Sequence, residues 1–402
     1  MHHSASEASA FLEEARELAK AYLCWFKEDA LPFWMTRGID EKTGASWEKL
    51  DANGAPLTQS PRRARVQSRQ IFVYSLAAMR GWIDQSTAES IVDKLQSVVD
   101  TYARHATKPG YVHLLNSDLS QQDTKQDLYD HAFHILANVW RASAFDDAHA
   151  QTKAKQLLAH LDENFCAESG GFSEGDYPVD ARRQNPHMHL FETFIAGAEL
   201  SSDLVYSARA GEMYQLFAAY FYDGKFGVLR EFFNENWEVL DSDKGDIIEP
   251  GHMLEWAWLL LCYQNLADRD LYKDSLALFE SAVSLGQTEG DLFFDEVSPS
   301  GEPIKRSKRS WAMTEYIKSA SRLYVQSPDT KKAYFAEHLA RAIRSTMQYY
   351  IEPANLSPAG RGAYIDQIGD NQQAVSSEAQ ASTLYHYAVA AAELEGFLEA
   401  CA

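Results

Sequence analysis

Cysteine is scarce and scattered in this 402-residue chain: Cys24, Cys166, Cys262 and Cys401 lie far apart, with no CxxC spacing. That excludes a disulfide scaffold and a thiolate metal or redox pair, and a reducing, cytoplasmic setting is the plain expectation. Long apolar runs are also missing; none approaches the roughly 20 residues that cross a bilayer. The opening Met1-His-His-Ser-Ala-Ser-Glu7 lacks the basic and apolar regions of a secretory signal. Positive charge is in short supply, 37 Lys and Arg against 58 Asp and Glu, for a net charge of −21. Such a balance argues against nucleic acid and anionic membranes as partners and leaves a neutral small molecule open. Neither a Walker loop nor a G-x-G-x-x-G turn occurs, so no nucleotide cofactor is expected.

Apolar residues are abundant, at 46% of the chain with 12% aromatics, and they recur with helical periodicity. One broad stripe runs through Phe11, Leu12, Ala15, Leu18, Ala19, Tyr22, Leu23 and Phe26. Further on, a pattern repeats about six times: a rather polar helix, a loop with a short aromatic hairpin, then an apolar helix. The apolar helices are expected at about 62–82, from 124, from 185, from 250, from 309 and at 376–398. Their polar partners are expected at about 86–105, 146–165, 202–222, 270–286 and 331–350. An open solenoid would show a constant repeat length and polar capping repeats. Here the loops vary and the end repeats are as apolar as the rest. The expected fold is therefore all-α, a closed (α/α)6 barrel with short β-hairpins at one mouth, spanning residues 1–402 as a single domain. Monomer and homodimer remain equally open.

Polar residues on the apolar helices cluster near their starts. The sharpest case is Glu249-Pro-Gly-His252-Met-Leu-Glu255-Trp. Pro250 suits the first helical position, and His252 and Glu255, three apart, share a face, so Glu255 is expected to orient the imidazole. The remaining candidates are Arg69, Tyr129, His131, Asn185, His189, Trp311, Glu315 and His386, which a closed ring would bring to one pocket. His134 reads as a satisfied core histidine. Arg62, Arg63 and Arg65 read as a solvated patch, although Arg65 lies one turn before Arg69. His187-Met-His189 beside Glu192 lacks the i, i+4 histidine pair of helical zinc sites, so no metal is expected.

Four ordered motifs carry a resemblance: Val66-Gln-Ser-Arg69, Asn185-Pro-His-Met-His189-Leu-Phe-Glu192, Pro250-Gly-His252-Met-Leu-Glu255-Trp and Tyr385-His386. Together they resemble the N-acylglucosamine 2-epimerase superfamily, which includes cellobiose 2-epimerases, mannose isomerases and sulfoquinovose isomerases. The resemblance implies an (α/α)6 barrel, with His252 and His386 as acid/base histidines and Arg69 at the substrate oxygens and developing enediolate. It implies Asn185, His189, Tyr129, Glu255, Trp311 and Glu315 as substrate-binding residues, and position at the same mouth adds His131, Glu192 and Arg65 to the substrate-binding candidates. Sulfoquinovose isomerases have a tryptophan one turn before the arginine, where this chain has Arg65. They also have a glutamine four residues before the second histidine, where this chain has Ser382, and both departures argue away from a sulfosugar. The expected reaction is interconversion of D-mannose and D-fructose, with D-lyxose and D-xylulose as a further pair, by metal-independent proton transfer. A 2-epimerase acting on mannose, cellobiose or an N-acylglucosamine is the alternative, and a glycoside hydrolase would need two carboxylates flanking the bond.

Overall fold

The computed structural model describes residues 5–352 and 360–402. Six inner helices, α3 (Ala64–Met79), α5 (Leu128–Phe145), α7 (Gln184–Leu200), α9 (Pro250–Ala267), α11 (Ser310–Gln326) and α13 (Leu384–Ala400), pack side by side, and α13 returns to α3. Around them lie α1 (Ala5–Cys24), α4 (Gln85–Val98), α6 (Ala148–Asn164), α8 (Leu204–Leu216), α10 (Tyr272–Gly286) and α12 (Asp329–Thr346); a short α2 (Leu31–Arg37) follows α1. The ring is an (α/α)6 barrel, closed because α1 packs on both α12 and α13.

Composition explains which helices lie inside. Every residue of α9 from Pro250 to Tyr263 is buried, so it has no solvent face and must be surrounded. The outer helices keep one polar side, and three of them begin on an aspartate cap. Asp84, Asp147 and Asp203 accept backbone N–H groups as N-caps of α4, α6 and α8. The inner helices α3, α7, α9 and α11 instead begin at Arg63, Arg183, Glu249 and Arg309, none of which makes a side-chain cap bond. Their side chains are free for other work at the mouth.

Short strands tie the loops around that mouth. Arg62–Arg63 pairs with Leu114–Leu115, Arg182–Arg183 with Phe232–Phe233, and Lys308–Arg309 with Gln367–Ile368, all antiparallel. Lys49–Leu50 pairs with Ala379–Gln380 and joins the two ends of the chain. These pairings correct two expected boundaries. The helix expected from Arg62 starts at Ala64, and the one expected from 376 starts at Leu384, because the preceding residues spend their backbone groups on ladders. The first stripe extends through a π-helical turn, Trp25–Ala30.

Candidate active site

The starts of the inner helices enclose a cavity of about 840 Å3. On one side, α9 and α13 contribute His252 and His386, both on first turns and both buried. The Trp311 indole packs against both, its centroid 5.1 Å from the His252 ring and 5.7 Å from the His386 ring. A close approach makes this possible. A Cβ on Gly251 would fall 2.5 Å from that indole. Gly251→Ala should therefore displace Trp311 and lower kcat/KM about tenfold, or roughly 1.4 kcal/mol of transition-state stabilisation. Activity within twofold of native would mean the indole has room to spare.

The two histidines are held in opposite states. His252 Nδ1 lies 3.0 Å from Glu231 Oε2 and 3.7 Å from Glu249 Oε2. Burial opposes charge on this ring, but Glu231 and then Glu249 overcome it and raise the imidazole to about 10. His386 Nδ1 lies 2.8 Å from Glu315 Oε1. Burial, with Arg69, Lys318, His189 and His252 nearby, pushes this imidazole well below its ordinary value. At neutral pH this pair thus presents one imidazolium, His252, and one neutral imidazole, His386.

Arg69 reaches the same cavity from α3. Its guanidinium donates to the Ser382 carbonyl at 2.9 Å and to the Tyr129 hydroxyl at 2.6 Å, and lies 4.0 Å over the Phe133 ring. No carboxylate neutralises it among the described residues. Its buried Nε, together with Asn185 Oδ1 and Glu255 Oε1, has no partner within the protein. Buried polar atoms left over at a cavity wall are the groups a hydroxyl-rich ligand satisfies.

Several sequence expectations are redrawn here. Glu231 bonds His252, whereas Glu255, expected to orient it, faces the cavity with Oε1 unpaired. Helical spacing put Glu255 near the ring, but the partner comes from a loop ahead of the helix, and sequence spacing carries no signal for it. His131 does not line the cavity. Its Nδ1 faces the Asp127 carbonyl at 2.8 Å and its Nε2 accepts from the Tyr111 N–H at 3.3 Å, so it is a fully buried core group. Glu192 and Glu315 also stand behind the lining. Glu192 pairs with His189 Nδ1 at 3.1 Å and accepts from the Tyr385 hydroxyl, while Glu315 backs His386. Arg69, Tyr129, Asn185, His189, Trp311 and Arg65 do line the cavity with the two histidines.

The solvated arginine patch is overturned. Arg62 is buried against Asp40 and over the Trp47 ring, and Arg65 pairs with Asp130 at 2.7 Å. Burial works to raise the Asp130 carboxyl, yet Arg65 and His113 hold it well below the usual carboxylate range. His134 is a core group as expected, with Nδ1 2.6 Å from the Ser68 hydroxyl.

A pattern not read from the sequence repeats at alternate inner helices: Arg62-Arg63, Arg182-Arg183 and Lys308-Arg309 each precede one. Glu48 holds both the backbone N–H and the side chain of Arg63, and Glu174 does the same for Arg183. The third carboxylate is the shorter Asp295. It accepts the Arg309 N–H at 2.8 Å, but its other oxygen goes to Ser307 and Gln367. The Arg309 guanidinium therefore stands without an ion-pair partner among the described residues, at the rim near Glu249 and Asp366.

Three side-chain groups have donor atoms close enough together to hold a metal ion: His189, Glu192 and Glu255; Glu231, Glu249 and His252; Glu255, Glu315 and His386. In each, the histidine Nδ1 is already bonded to one of the carboxylates or to a neighbouring one. Each such bond orients an imidazole through Nδ1, while Glu255 Oε1 and Glu231 Oε1 have no hydrogen-bond partner among the described residues.

The family model for N-acylglucosamine 2-epimerase matches residues 45–390. The chain belongs to that family. As a member it is a sugar isomerase or epimerase. It is 31% identical over 391 residues to a protein of Rhizobium meliloti (strain 1021) named mannose-6-phosphate isomerase, covering 93% of this chain and 96% of that one. To the D-mannose isomerase of Thermobifida fusca it is 25% identical, over 79% and 83% of the two chains. Its fold matches cellobiose 2-epimerase from Bacillus thermoamylovorans with a TM-score of 0.82 and 17% identity, covering 95% and 99%. No helix among the described residues is long and apolar enough to cross a membrane.

Proposed function

We propose that this family member is an aldose–ketose isomerase converting D-mannose to D-fructose and back through a cis-enediol. The observation that carries this reading is the opposite poise of His252 and His386, both against Trp311 in one cavity. Aldose–ketose conversion moves one hydrogen from C2 to C1 and one proton from O2 to O1. His386, as the neutral imidazole, removes the C2 proton and delivers it to C1 on the same face of the enediol. His252, as the imidazolium, protonates O1 and then recovers the O2 proton, which leaves the site ready for the next turnover. Arg69 faces the negative charge that builds on the enediolate oxygens.

A 2-epimerase needs a base on each face of C2. With His252 held as an imidazolium by Glu231 and Glu249, only His386 of this pair is left as a base, which favours the isomerase over the epimerase. The hydrolase alternative loses ground because Glu192 and Glu315 are bonded to His189 and His386 behind the lining. Incubation with mannose followed by chromatography should give fructose. Glucose as the main product would replace this reading with the epimerase.

The rim charges bear on phosphorylated sugars. Arg63, Arg65 and Arg183 are each neutralised by a carboxylate, which suits an uncharged substrate and leaves Arg309 as the rim arginine that a phosphate would have to use. The expected kcat/KM for mannose exceeds that for mannose 6-phosphate by about tenfold or more, of the order of one lost ion-pair contact. If the phosphate is the better substrate and Arg309→Ala removes its advantage, Arg309 is the phosphate site and the free-sugar reading falls.

Because the proposed proton transfers use only His386, His252 and Arg69, turnover should survive exhaustive chelation with EDTA. Loss of activity that a single divalent ion restores would recast one of those histidine–carboxylate groups as a metal site.

A further inference from the structure

Behind His386 lies a charged side chain that no substrate can reach. Lys318 on α11 is fully buried, with Nζ 2.6 Å from Glu315 Oε2 and 3.7 Å from the centroid of the Trp258 ring. Glu315 is equally buried, and its other oxygen faces His386 Nδ1 at 2.8 Å. Three groups thus stand in file, Lys318, Glu315 and His386, and only the last touches the cavity.

The position of one proton in this file decides the chemistry. If Glu315 is a carboxylate, it accepts Nδ1–H and leaves His386 Nε2 with a lone pair toward the cavity. If Glu315 is a carboxylic acid, it donates to Nδ1, and Nε2 then carries the hydrogen and cannot act as a base. Burial and the nearby Glu255 and Glu192 carboxylates favour the acid, while Lys318 opposes them. Lys318 is itself sustained by Glu315, Glu255 and Glu192 against burial. A buried ammonium whose contact partner became neutral would be left uncompensated at a cost of several kcal/mol. The ion-pair arrangement avoids that cost and leaves Glu315 an acceptor.

We infer that Lys318 is a positioning residue: by keeping Glu315 ionised, it fixes His386 as the Nδ1–H tautomer and so makes Nε2 the base. This rests on the reading of His386 as the carbon base. The test reads the tautomer directly, apart from turnover. In protein labelled with 15N-histidine, with the His386 resonances assigned by their loss in His386→Asn, native His386 should show Nδ1–H. Lys318→Met should shift it to Nε2–H and lower kcat about 10²-fold, with KM changed only a few-fold. Lys318→Arg, which keeps the charge, should restore the native tautomer and most of the turnover.

Should Lys318→Met fail to fold, Lys318→Met combined with Glu315→Gln removes both buried charges, and the new amide oxygen can still accept Nδ1–H. That double variant should fold and keep the Nδ1–H tautomer. An Nε2–H tautomer in the native protein, or an unchanged tautomer in folded Lys318→Met, overturns the inference. Near-native turnover by His386→Ala would overturn the parent reading instead, whatever the tautomer.

Discussion

His386→Ala should lose turnover of mannose by about 10⁴-fold, the upper end of what one positioned general base contributes, while KM changes only a few-fold. The side chain is buried on the first turn of α13 and backed by Glu315, so its removal leaves a small void beside Glu315, whose charge is still met by Lys318 at 2.6 Å. The structural cost is modest and the chemical cost is large. His252, across the same cavity, does not replace it as a base, because Glu231 and Glu249 hold it charged. In D2O the native enzyme should place deuterium at C1 of the fructose formed, since a proton resting on imidazole exchanges with solvent. The variant should lose that incorporation together with turnover. Turnover within tenfold of native would remove His386 from the reaction.

His252→Ala should fall by about 10²–10³-fold, within the range for a general acid, and Glu231→Gln should show why. In the native enzyme the alkaline limb of kcat/KM should follow loss of the His252 proton, which Glu231 and Glu249 raise to about 10 against burial. Glu231 is the nearest of the carboxylates that hold that proton. Its neutralisation lowers the imidazole and brings the alkaline limb toward neutrality. Stability should report the same linkage with a definite sign. A histidine raised from about 6.5 when unfolded to about 10 when folded adds stability that is complete below the unfolded value and disappears as pH rises through the folded one. Denaturation should therefore find Glu231→Gln clearly weaker than native near pH 6, with the gap closing above pH 10. A pH-independent gap, or an alkaline limb that stays in place, would separate Glu231 from the charge on His252.

Much of the architecture was readable as periodicity. An all-apolar helix such as Pro250–Ala267 has to be surrounded, and repeated pairs of such helices with polar partners have to stack or close. Clustering of His252, His386, Arg69, Asn185 and Trp311 near helix starts pointed to one mouth, and these residues do line one cavity. The arginines were harder to read. Arg62 and Arg65 are charged, near one another and close to a helix start, which is also how a solvated face reads. Their burial depends on Asp40 and Asp130, which come from distant parts of the chain. His131 shows the converse: a histidine among candidates, satisfied by the Asp127 carbonyl and the Tyr111 N–H, groups that a side-chain pattern does not display.

By itself the sequence determined the helices, their pairing and the identity of the chemical groups, because helical periodicity and composition act over a few turns. Tertiary structure alone decided the state of each group. Glu231 is 21 residues from His252 and Glu315 is 71 from His386, so no local spacing announces either pair. Charge on an imidazole depends on burial and on carboxylates within a few ångströms, and both quantities exist only once the ring has closed.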